Sequence, residues 1–268
     1  MTRNARQTLA FALFGTGLLA VSPLSLAHTG IKDPGTAGSG LYTAATIGHG
    51  CGIGTKGTKQ VTAQSLVFPW GISDGSDGNL VATVGTTPAD LTDFLDTTDP
   101  KLFSLSPGMV QDKNVFQAQV EVTDANANVV AINFTKGNLD TTAVGVIPFR
   151  VSLPDLADGQ TNSDGSVEAE SCIKTLKVRI GIANWCSKTQ DESQDFRADI
   201  WIGHLTTKFD DPGVMPNDFA TSPFWPTLTV NRATELPASC GAGIDVNVEP
   251  SDAFIDQYLP IKGYWPQP

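Results

Sequence analysis

The segment TLKVRIGI, residues 175–182, alternates between apolar and polar side chains along most of its length. Lys177 and Arg179 separate the leucine, valine and isoleucine residues, which share the opposite face. The segment VFQAQVEVT, residues 115–123, repeats the pattern with glutamine and glutamate on its polar face. A period of two is typical of antiparallel strands that bury one face and expose the other. The sequence therefore indicates a protein built from half-buried β-strands.

Further short segments have the composition of strands, and clusters of Gly, Pro, Asp and Asn separate them. They are VTAQSLVF (61–68), VVAINF (129–134), AVGVIPFRV (143–151), ADIWI (198–202), TLTV (227–230) and IDVNV (244–248). Short helices are expected near Thr87, where a capping residue precedes Pro88, and near Ser251. The pattern predicts an all-β fold, a β-sandwich or Greek-key-like single domain with a few short helices and long loops.

The first 27 residues have the three parts of a secretory signal peptide. Arg3 and Arg6 give the positively charged start, and residues 9–21 form an apolar stretch. The sequence Ser-Leu-Ala at positions 25–27 supplies the small residues that signal peptidase requires. We therefore expect cleavage before His28 and a protein located outside the cytoplasm, in the periplasm or on the outer cell surface.

The predicted mature domain, residues 28–268, is acidic and is not expected to span a membrane. No segment in it approaches the roughly 20 uninterrupted apolar residues of a membrane helix. The whole chain has 17 Lys and Arg residues against 28 Asp and Glu residues, and cleavage would remove two of the basic residues. This charge repels nucleic-acid phosphates, so no nucleic-acid partner is expected. It is compatible with the attraction of metal cations.

The mature domain contains four cysteines, Cys51, Cys172, Cys186 and Cys240. An oxidising compartment favours two disulfides, for which three pairings exist. A straight strand between Cys172 and Cys186, at about 3.3 Å per residue, would separate their Cα atoms by more than the roughly 7 Å that a bridge allows. Each would then pair with Cys51 or Cys240, whereas a sharp bend after Ile182 would permit the direct bridge. The alternative is a copper–thiolate site, but no CxxC or CxC spacing supports it.

Three histidines occur in the chain, His28, His49 and His204. A histidine at a new N-terminus can chelate one metal through its α-amine and a ring nitrogen, because the metal displaces the amine proton near neutral pH. Imidazole and amine nitrogens suit copper, and Cu²⁺ leads the divalent affinity order. His28 and a second imidazole would form a histidine brace. The alternative is that cleavage falls at a histidine by chance.

His49 lies in IGHGCG, residues 47–52, where three glycines permit a tight backbone and a disulfide at Cys51 would fix the loop. This loop suits a metal ligand, and it equally suits an ordinary turn beside a disulfide. His204 follows the predicted strand 198–202 and is either a further ligand or a surface residue. The sequence contains no GxSxG or HExxH motif and no phosphate-binding glycine loop.

The start of the mature domain, HTGIKDPGTAGSGLYTAATIGHGCG, resembles that of the surface-associated copper(I)-binding proteins of methanotrophic bacteria. The same resemblance extends to VTAQSLVFP, TKGNLDTTAVGVIPFR, FWPTLTVNR and LPASCGAGIDVNVEPSDAFID, which are spread over most of the mature domain. The N-terminal histidine and the His-Gly-Cys element are also similar, over a shorter stretch, to YcnI-like periplasmic copper-binding domains.

The methanotroph resemblance implies a β-sandwich-like fold, a single copper site near the surface and a role in copper uptake under scarcity. It also implies two imidazoles that bind Cu(I) and a tryptophan, oxidised to kynurenine, as a further ligand. The nearest counterpart of the family's Trp-X-His element is Trp201-X-X-His204, which is one residue longer. His28 and His49 lie in the best-matching block and are the first candidate ligands.

These observations predict a secreted copper-binding protein without turnover, involved in copper acquisition or handling. It would hold one Cu(I) or Cu(II) through His28 and His49, with His204 and Trp201 as further candidates. Its partners would be the copper ion and an outer-membrane protein or copper carrier. The enzymatic alternative is a histidine-brace copper monooxygenase acting on polysaccharide. A metal-free surface or adhesion protein is the third hypothesis.

Overall fold

A computed structural model gives the fold of most of the predicted mature domain. It describes residues 29–52, 59–95, 102–103, 105–159, 165, 171–214 and 224–268. The predicted signal peptide, residues 1–27, and the candidate ligand His28 lie outside the described residues.

Short β-strands make up most of the regular structure. The strands of the described residues are β1 (Gly30–Ile31), β2 (Gly35–Thr36), β3 (Gly40–Ile47), β4 (Ala63–Val67), β5 (Gly71–Ile72), β6 (Leu80–Val84), β7 (Thr87–Pro88), β8 (Leu102–Phe103), β9 (Pro107–Met109), β10 (Phe116–Thr123), β11 (Val129–Gly137), β12 (Gly145–Ser152), β13 (Ile173–Arg179), β14 (Gly181–Trp185), β15 (Ala198–Trp201), β16 (Thr227–Asn231) and β17 (Ile244–Pro250). The helical elements of the same residues are the α-helix α1 (Asp252–Tyr258) and 3-10 turns at Leu91–Asp93, Pro212–Val214 and Ala238–Cys240.

The strands form three main sheets in the part of the chain that the structure describes. A five-stranded sheet has the order β10-β11-β4-β14-β15, a four-stranded sheet β1-β3-β12-β9, and a six-stranded sheet β2-β16-β13-β17-β6-β7. Most neighbouring strands are antiparallel, whereas β13 and β17, and also β16 and β2, are parallel. The predicted all-β, sandwich-like fold is confirmed.

The five-stranded sheet has a hydrophobic core on each face. One face joins the other two sheets in the main core, whose members include Leu66, Ile182, Trp201, Phe149, Val178 and Val246. The other face is covered by α1 and the C-terminal segment in a second core, whose members include Ala183, Ile200, Phe254, Leu259 and Trp265. The sheet is therefore buried on both sides, and polar side chains on it need partners inside the protein.

The predicted strand 175–182 is divided between two sheets. β13 ends at Arg179 and pairs with β16 and β17, whereas β14 begins at Gly181 and pairs with β4 and β15. A Cβ at Gly181 would lie 2.8 Å from Val67 Cγ1, so glycine allows β14 and β4 to approach closely at this corner. The prediction of one continuous half-buried strand is therefore wrong beyond Arg179, because all of β14 is buried.

The remaining predicted strands are all present, with bounds that differ by a few residues. β3 was not expected, because its central alanines and neighbouring glycines have low strand propensity. In β10, Phe116 is buried but Val120, on the same face, is 57% exposed. β10 is an edge strand of its sheet, so one end of its apolar face extends beyond the core.

One of the two predicted helices is confirmed. α1 begins after Ser251, whose hydroxyl oxygen accepts a hydrogen bond from the Phe254 N–H at 3.2 Å. The helix expected near Thr87 is wrong, because Thr87 belongs to β7. A 3-10 turn begins four residues later, after Asp90, whose carboxylate accepts a hydrogen bond from the Thr92 N–H at 2.9 Å.

Two disulfides connect the cysteines. Cys51 pairs with Cys186, with Cα atoms 5.9 Å apart, and Cys172 pairs with Cys240, with Cα atoms 5.3 Å apart. The expectation that Cys172 and Cys186 pair elsewhere is thus confirmed. Two disulfides are typical of proteins that fold in an oxidising compartment. Among the described residues, no helix combines the length and the apolar character needed to cross a bilayer.

Candidate metal centre

A row of three polar side chains crosses the face of the five-stranded sheet that packs against the main core. In the strand register, Asn184 of β14 lies opposite both Gln64 of β4 and Asp199 of β15. All three residues are buried. The next row on the same face, two residues further along each strand, belongs to the main core and consists of Leu66, Ile182 and Trp201. The polar row therefore lies directly beside the apolar core.

The polar row holds the first described residue of the chain in place. Gln64 Nε2 donates a hydrogen bond to Asn184 Oδ1 at 2.9 Å, and Asn184 Nδ2 donates to Thr29 Oγ1 at 2.7 Å. Thr29 itself is buried. The next residue, Gly30, donates its backbone N–H to Thr46 Oγ1 at 3.1 Å. The segment that enters the domain is thus fixed by side-chain hydrogen bonds as well as by strand pairing.

The loop that follows β3 packs closely against neighbouring chain segments, and its glycines make this possible. A Cβ at Gly50 would lie 2.2 Å from the Lys59 carbonyl oxygen. Gly52 has a φ of +89°, and a Cβ there would lie 2.3 Å from the ring of Phe196. Between these glycines, Cys51 connects the loop to the end of β14 through its disulfide with Cys186. Glycine is therefore required at positions 50 and 52, because a Cβ at either position would clash with Lys59 or Phe196.

This loop places the His49 ring against the polar row. His49 Nδ1 lies 2.5 Å from the Gly50 carbonyl oxygen and 3.6 Å from Asp199 Oδ2. A carbonyl oxygen can only accept a hydrogen bond, so the proton of the neutral ring is on Nδ1. The lone pair is then on Nε2, which is buried and has no hydrogen-bond partner among the described residues. This is the arrangement of a metal-ligating histidine, whose other ring nitrogen donates to a carbonyl or carboxylate.

Asp199 is a buried carboxyl group with few compensating contacts. Burial raises its pKa from the ordinary value of 3.8 to about 6, although His49 and a hydrogen bond from the Gly52 backbone N–H both lower it. Within the described part of the chain, its Oδ2 atom has no hydrogen-bond partner. A cation at His49 would stabilise the ionised form of Asp199.

The donors at this position fit one part of a copper site. An imidazole nitrogen with a free lone pair is a ligand that copper prefers. The described residues contain no group of three or more His, Cys, Asp and Glu side chains that could hold a metal ion. A complete coordination sphere therefore needs ligands beyond His49 and Asp199. His28, the predicted N-terminal chelate, lies outside the described residues.

The structure does not bring His204 to His49. His204 lies beyond the end of β15, where its Nε2 atom is 2.5 Å from Asp252 Oδ1 and its ring contacts the ring of Trp225 edge-on at 5.7 Å. Its side chain is 41% exposed. None of these contacts is shared with His49, so the assignment of His204 as a ligand stays a prediction without a geometric basis.

Trp201 is a core residue in this fold. It is fully buried, and its ring packs edge-on against Phe224 at a centroid distance of 5.7 Å. It lies on the same face of β15 as Asp199, one row closer to the main core. It is separate from the Trp225 ring that contacts His204. Its role as a ligand also stays a prediction.

The polar row was not predicted to be part of the site. Asp199 is the one charged residue in ADIWI, and Asn184 is the one polar residue in the equally apolar segment of β14, GIANW. A lone polar residue in a strand that is otherwise apolar indicates a buried polar group with a partner. That pattern could have identified Asn184 and Asp199 as site candidates, but their pairing depends on a register that appears only in the folded chain.

Comparison with known proteins gives no assignment. No protein-family model matches the chain, and a search of curated proteins gives no match. The interpretation of the centre therefore depends on its geometry and chemistry.

Proposed function

We propose that this protein binds one copper ion outside the cytoplasm and acts in copper acquisition or handling, without turnover. In this proposal His49 provides its Nε2 atom as one ligand. His28 provides its α-amine and a ring nitrogen after the signal peptide is removed. Bound copper, as Cu(I) or Cu(II), would be the cargo of the protein.

The observation that carries the proposal is the state of the His49 ring. Its Nδ1 proton is directed to the Gly50 carbonyl oxygen, and its Nε2 lone pair is buried without a partner among the described residues. Leaving a buried polar atom without a hydrogen bond costs about 1–3 kcal/mol. A bound metal removes this cost, because the lone pair becomes a coordination bond. When it is ionised, the carboxylate of Asp199, whose Oδ2 atom lies 3.6 Å from Nδ1, places a negative charge beside the ring, which favours a bound cation.

The course of the chain before β1 supports a ligand from the processed N-terminus. β1 runs antiparallel to β3, with Gly30 opposite Thr46. The chain before β1 and the chain after β3 therefore leave the same end of this strand pair. His49 lies in the chain after β3, and His28 immediately precedes Thr29, the first described residue.

The chemistry of the whole chain is compatible with this function. A net charge of −11 raises the concentration of cations near the protein. Two disulfides suit an extracytoplasmic location, and the predicted signal peptide agrees with it. An outer-membrane protein or copper carrier would exchange copper with the site. The proposal requires neither His204 nor Trp201 as a ligand.

The test combines N-terminal analysis with copper titration. The protein is secreted from a bacterial host, its first residue is determined by mass spectrometry, and copper is titrated in competition with a chelator. We expect a chain that starts at His28 and binds one equivalent of copper. His49→Ala should abolish tight binding, whereas the matched variant His204→Ala should retain it. A different first residue, or full binding by His49→Ala, would contradict the proposal.

A further inference from the structure

Arg150 of β12 is exposed, and within the part of the chain that the structure describes its guanidinium group has no hydrogen bond or ion pair. The other three described arginines, Arg179, Arg197 and Arg232, donate hydrogen bonds to carboxylates or to carbonyl oxygens. The whole chain has 28 Asp and Glu residues against 17 Lys and Arg residues, so acidic partners are plentiful. An unpaired guanidinium on such a protein is available to an anionic group of a ligand.

The Arg150 side chain is held in one direction by Gly108 of β9, which lies opposite it in the strand register. A Cβ at Gly108 would lie 2.8 Å from Nε and 2.9 Å from Cζ of Arg150, so the guanidinium crosses β9 directly over this glycine. It reaches a hollow of about 270 Å³ whose walls include Trp70, Ser106 and Asn128. Arg150 is the one charged residue among the described residues that line this hollow.

Two aromatic side chains flank the guanidinium. Tyr42 of β3 lies opposite Arg150 on the other side of β12, and it is 75% exposed. Trp70 is half-buried and lines the hollow that the guanidinium enters. An aromatic ring can pack against the apolar C–H face of a sugar, and a guanidinium can donate two parallel hydrogen bonds to one carboxylate. The three side chains therefore suit a ligand that combines sugar rings with carboxylates.

The edge of β9 beside this hollow offers no N–H donor to a peptide strand. The Ser106 carbonyl oxygen accepts a hydrogen bond from β12, so the backbone groups of Pro107 and Met109 are directed to the free edge. Pro107 has no N–H, and the Met109 N–H donates to Glu121 Oε1 at 2.8 Å. Strand addition by an acidic peptide is thus disfavoured. The net charge of −11 also repels densely charged polyanions such as nucleic acids.

We propose that Tyr42, Arg150 and Trp70 form a binding site for an acidic polysaccharide that contains uronic acids. The carboxylate of one uronate accepts hydrogen bonds from the Arg150 guanidinium, and sugar rings pack on the two aromatic side chains. The site is separate from the candidate metal centre, because Tyr42 lies five residues before the end of β3 at Ile47, or about 17 Å at about 3.4 Å per residue. Binding would hold the secreted protein on a polysaccharide surface, and it does not depend on copper.

The experiment titrates the secreted protein with an oligogalacturonate in the presence of EDTA and follows the amide NMR spectrum. Arg150→Gln should weaken binding by about 10- to 100-fold, the effect of losing hydrogen bonds between charged groups. Tyr42→Ala should weaken it by about 2- to 10-fold. Lys174→Gln is the matched control, because it removes the same charge from an exposed position on the six-stranded sheet and should bind like the wild type.

Several results would overturn this inference. They are the absence of binding by the wild type, equal binding by Arg150→Gln, and equal weakening by Lys174→Gln, which would indicate a general effect of charge. A neutral oligosaccharide that binds as tightly would exclude recognition of the carboxylate, and an oligoglutamate that binds as tightly would exclude recognition of the sugar. Copper titration of Arg150→Gln should match that of the wild type, so the proposed function is tested independently.

Discussion

Replacement of Asp199 by asparagine is expected to make the metal-free protein more stable at neutral pH. Burial raises the pKa of this carboxyl group from 3.8 to about 6, so the fold favours its protonated form. The unfolded chain ionises the group near its ordinary pKa. The free energy of unfolding therefore falls as the pH rises from about 4 through about 6. Asparagine resembles the protonated acid and cannot ionise, so the variant does not lose this part of the free energy of unfolding as the pH rises.

The magnitude follows from the two pKa values of Asp199. A rise from 3.8 to about 6 corresponds to about 3 kcal/mol across the whole titration, at about 1.36 kcal/mol per pH unit. About 2 kcal/mol of this falls between about pH 4.5 and pH 7.5, where unfolding is readily measured. Other carboxylates also titrate, such as Asp245, whose pKa is lowered by hydrogen bonds from Lys177 and Thr175. Because these groups are present in both proteins, the difference in free energy of unfolding between the variant and the wild type reports on Asp199 alone.

Urea unfolding in the presence of EDTA, followed by tryptophan fluorescence at several pH values, measures the effect. The advantage of Asp199→Asn over the wild type should increase by about 2 kcal/mol between about pH 4.5 and pH 7.5. Asp93→Asn, the same substitution at an exposed position, is the matched control. A constant difference for Asp199→Asn, or one that increasingly favours the wild type as the pH rises, would show that the fold does not raise the pKa of Asp199.

Three further predictions concern the stability of the fold, and two of them also concern copper binding. Removing the Cys51–Cys186 disulfide, whose cysteines are 135 residues apart, should lower the free energy of unfolding in urea by about 5 kcal/mol and should also weaken copper binding. Removing the Cys172–Cys240 disulfide, whose cysteines are 68 residues apart, should lower the free energy of unfolding by about 4 kcal/mol and should leave copper binding intact. Gly50→Ala should lower both the stability and the copper affinity of the protein, because the new Cβ would lie 2.2 Å from a backbone carbonyl oxygen. The control Gly40→Ala should change neither, because no atom lies within 4 Å of a Cβ at that position. Arg197→Met should lower the free energy of unfolding by about 3 kcal/mol, because it removes an ion pair and a guanidinium 4.2 Å from a tryptophan ring of the C-terminal segment. An unfolding midpoint equal to that of the wild type would contradict this last prediction.

Local patterns predicted the fold class well because strand periodicity and turn composition are properties of short segments. The segment 175–182 is an exception. The alternation of apolar and polar residues continues through Ile180, yet the chain passes from one sheet to another at this residue. β13 packs against the main core alone, whereas β14 lies between the two cores. No local pattern shows that a second core covers the other face of a sheet. The pairing of Cys51 with Cys186 depends on the same long-range arrangement.

The candidate centre was predicted only in part, for a related reason. His49 was identified because glycines and a cysteine surround it, and the structure gives these glycines specific packing roles. Asp199 and Asn184 were missed, because each is a single polar residue in its strand and only the register brings them together. His204 was included because histidines are few, but its contacts are with Asp252 and Trp225.

X-ray absorption at the copper edge of the secreted, copper-loaded protein identifies the copper ligands themselves. We expect nitrogen ligands with scattering from two imidazole rings, of which one is lost in His49→Ala. We expect no cysteine thiolate ligand, because all four cysteines are in disulfides. A copper–thiolate distance, or a spectrum that is unchanged in His49→Ala, would rule out a copper site built on His49.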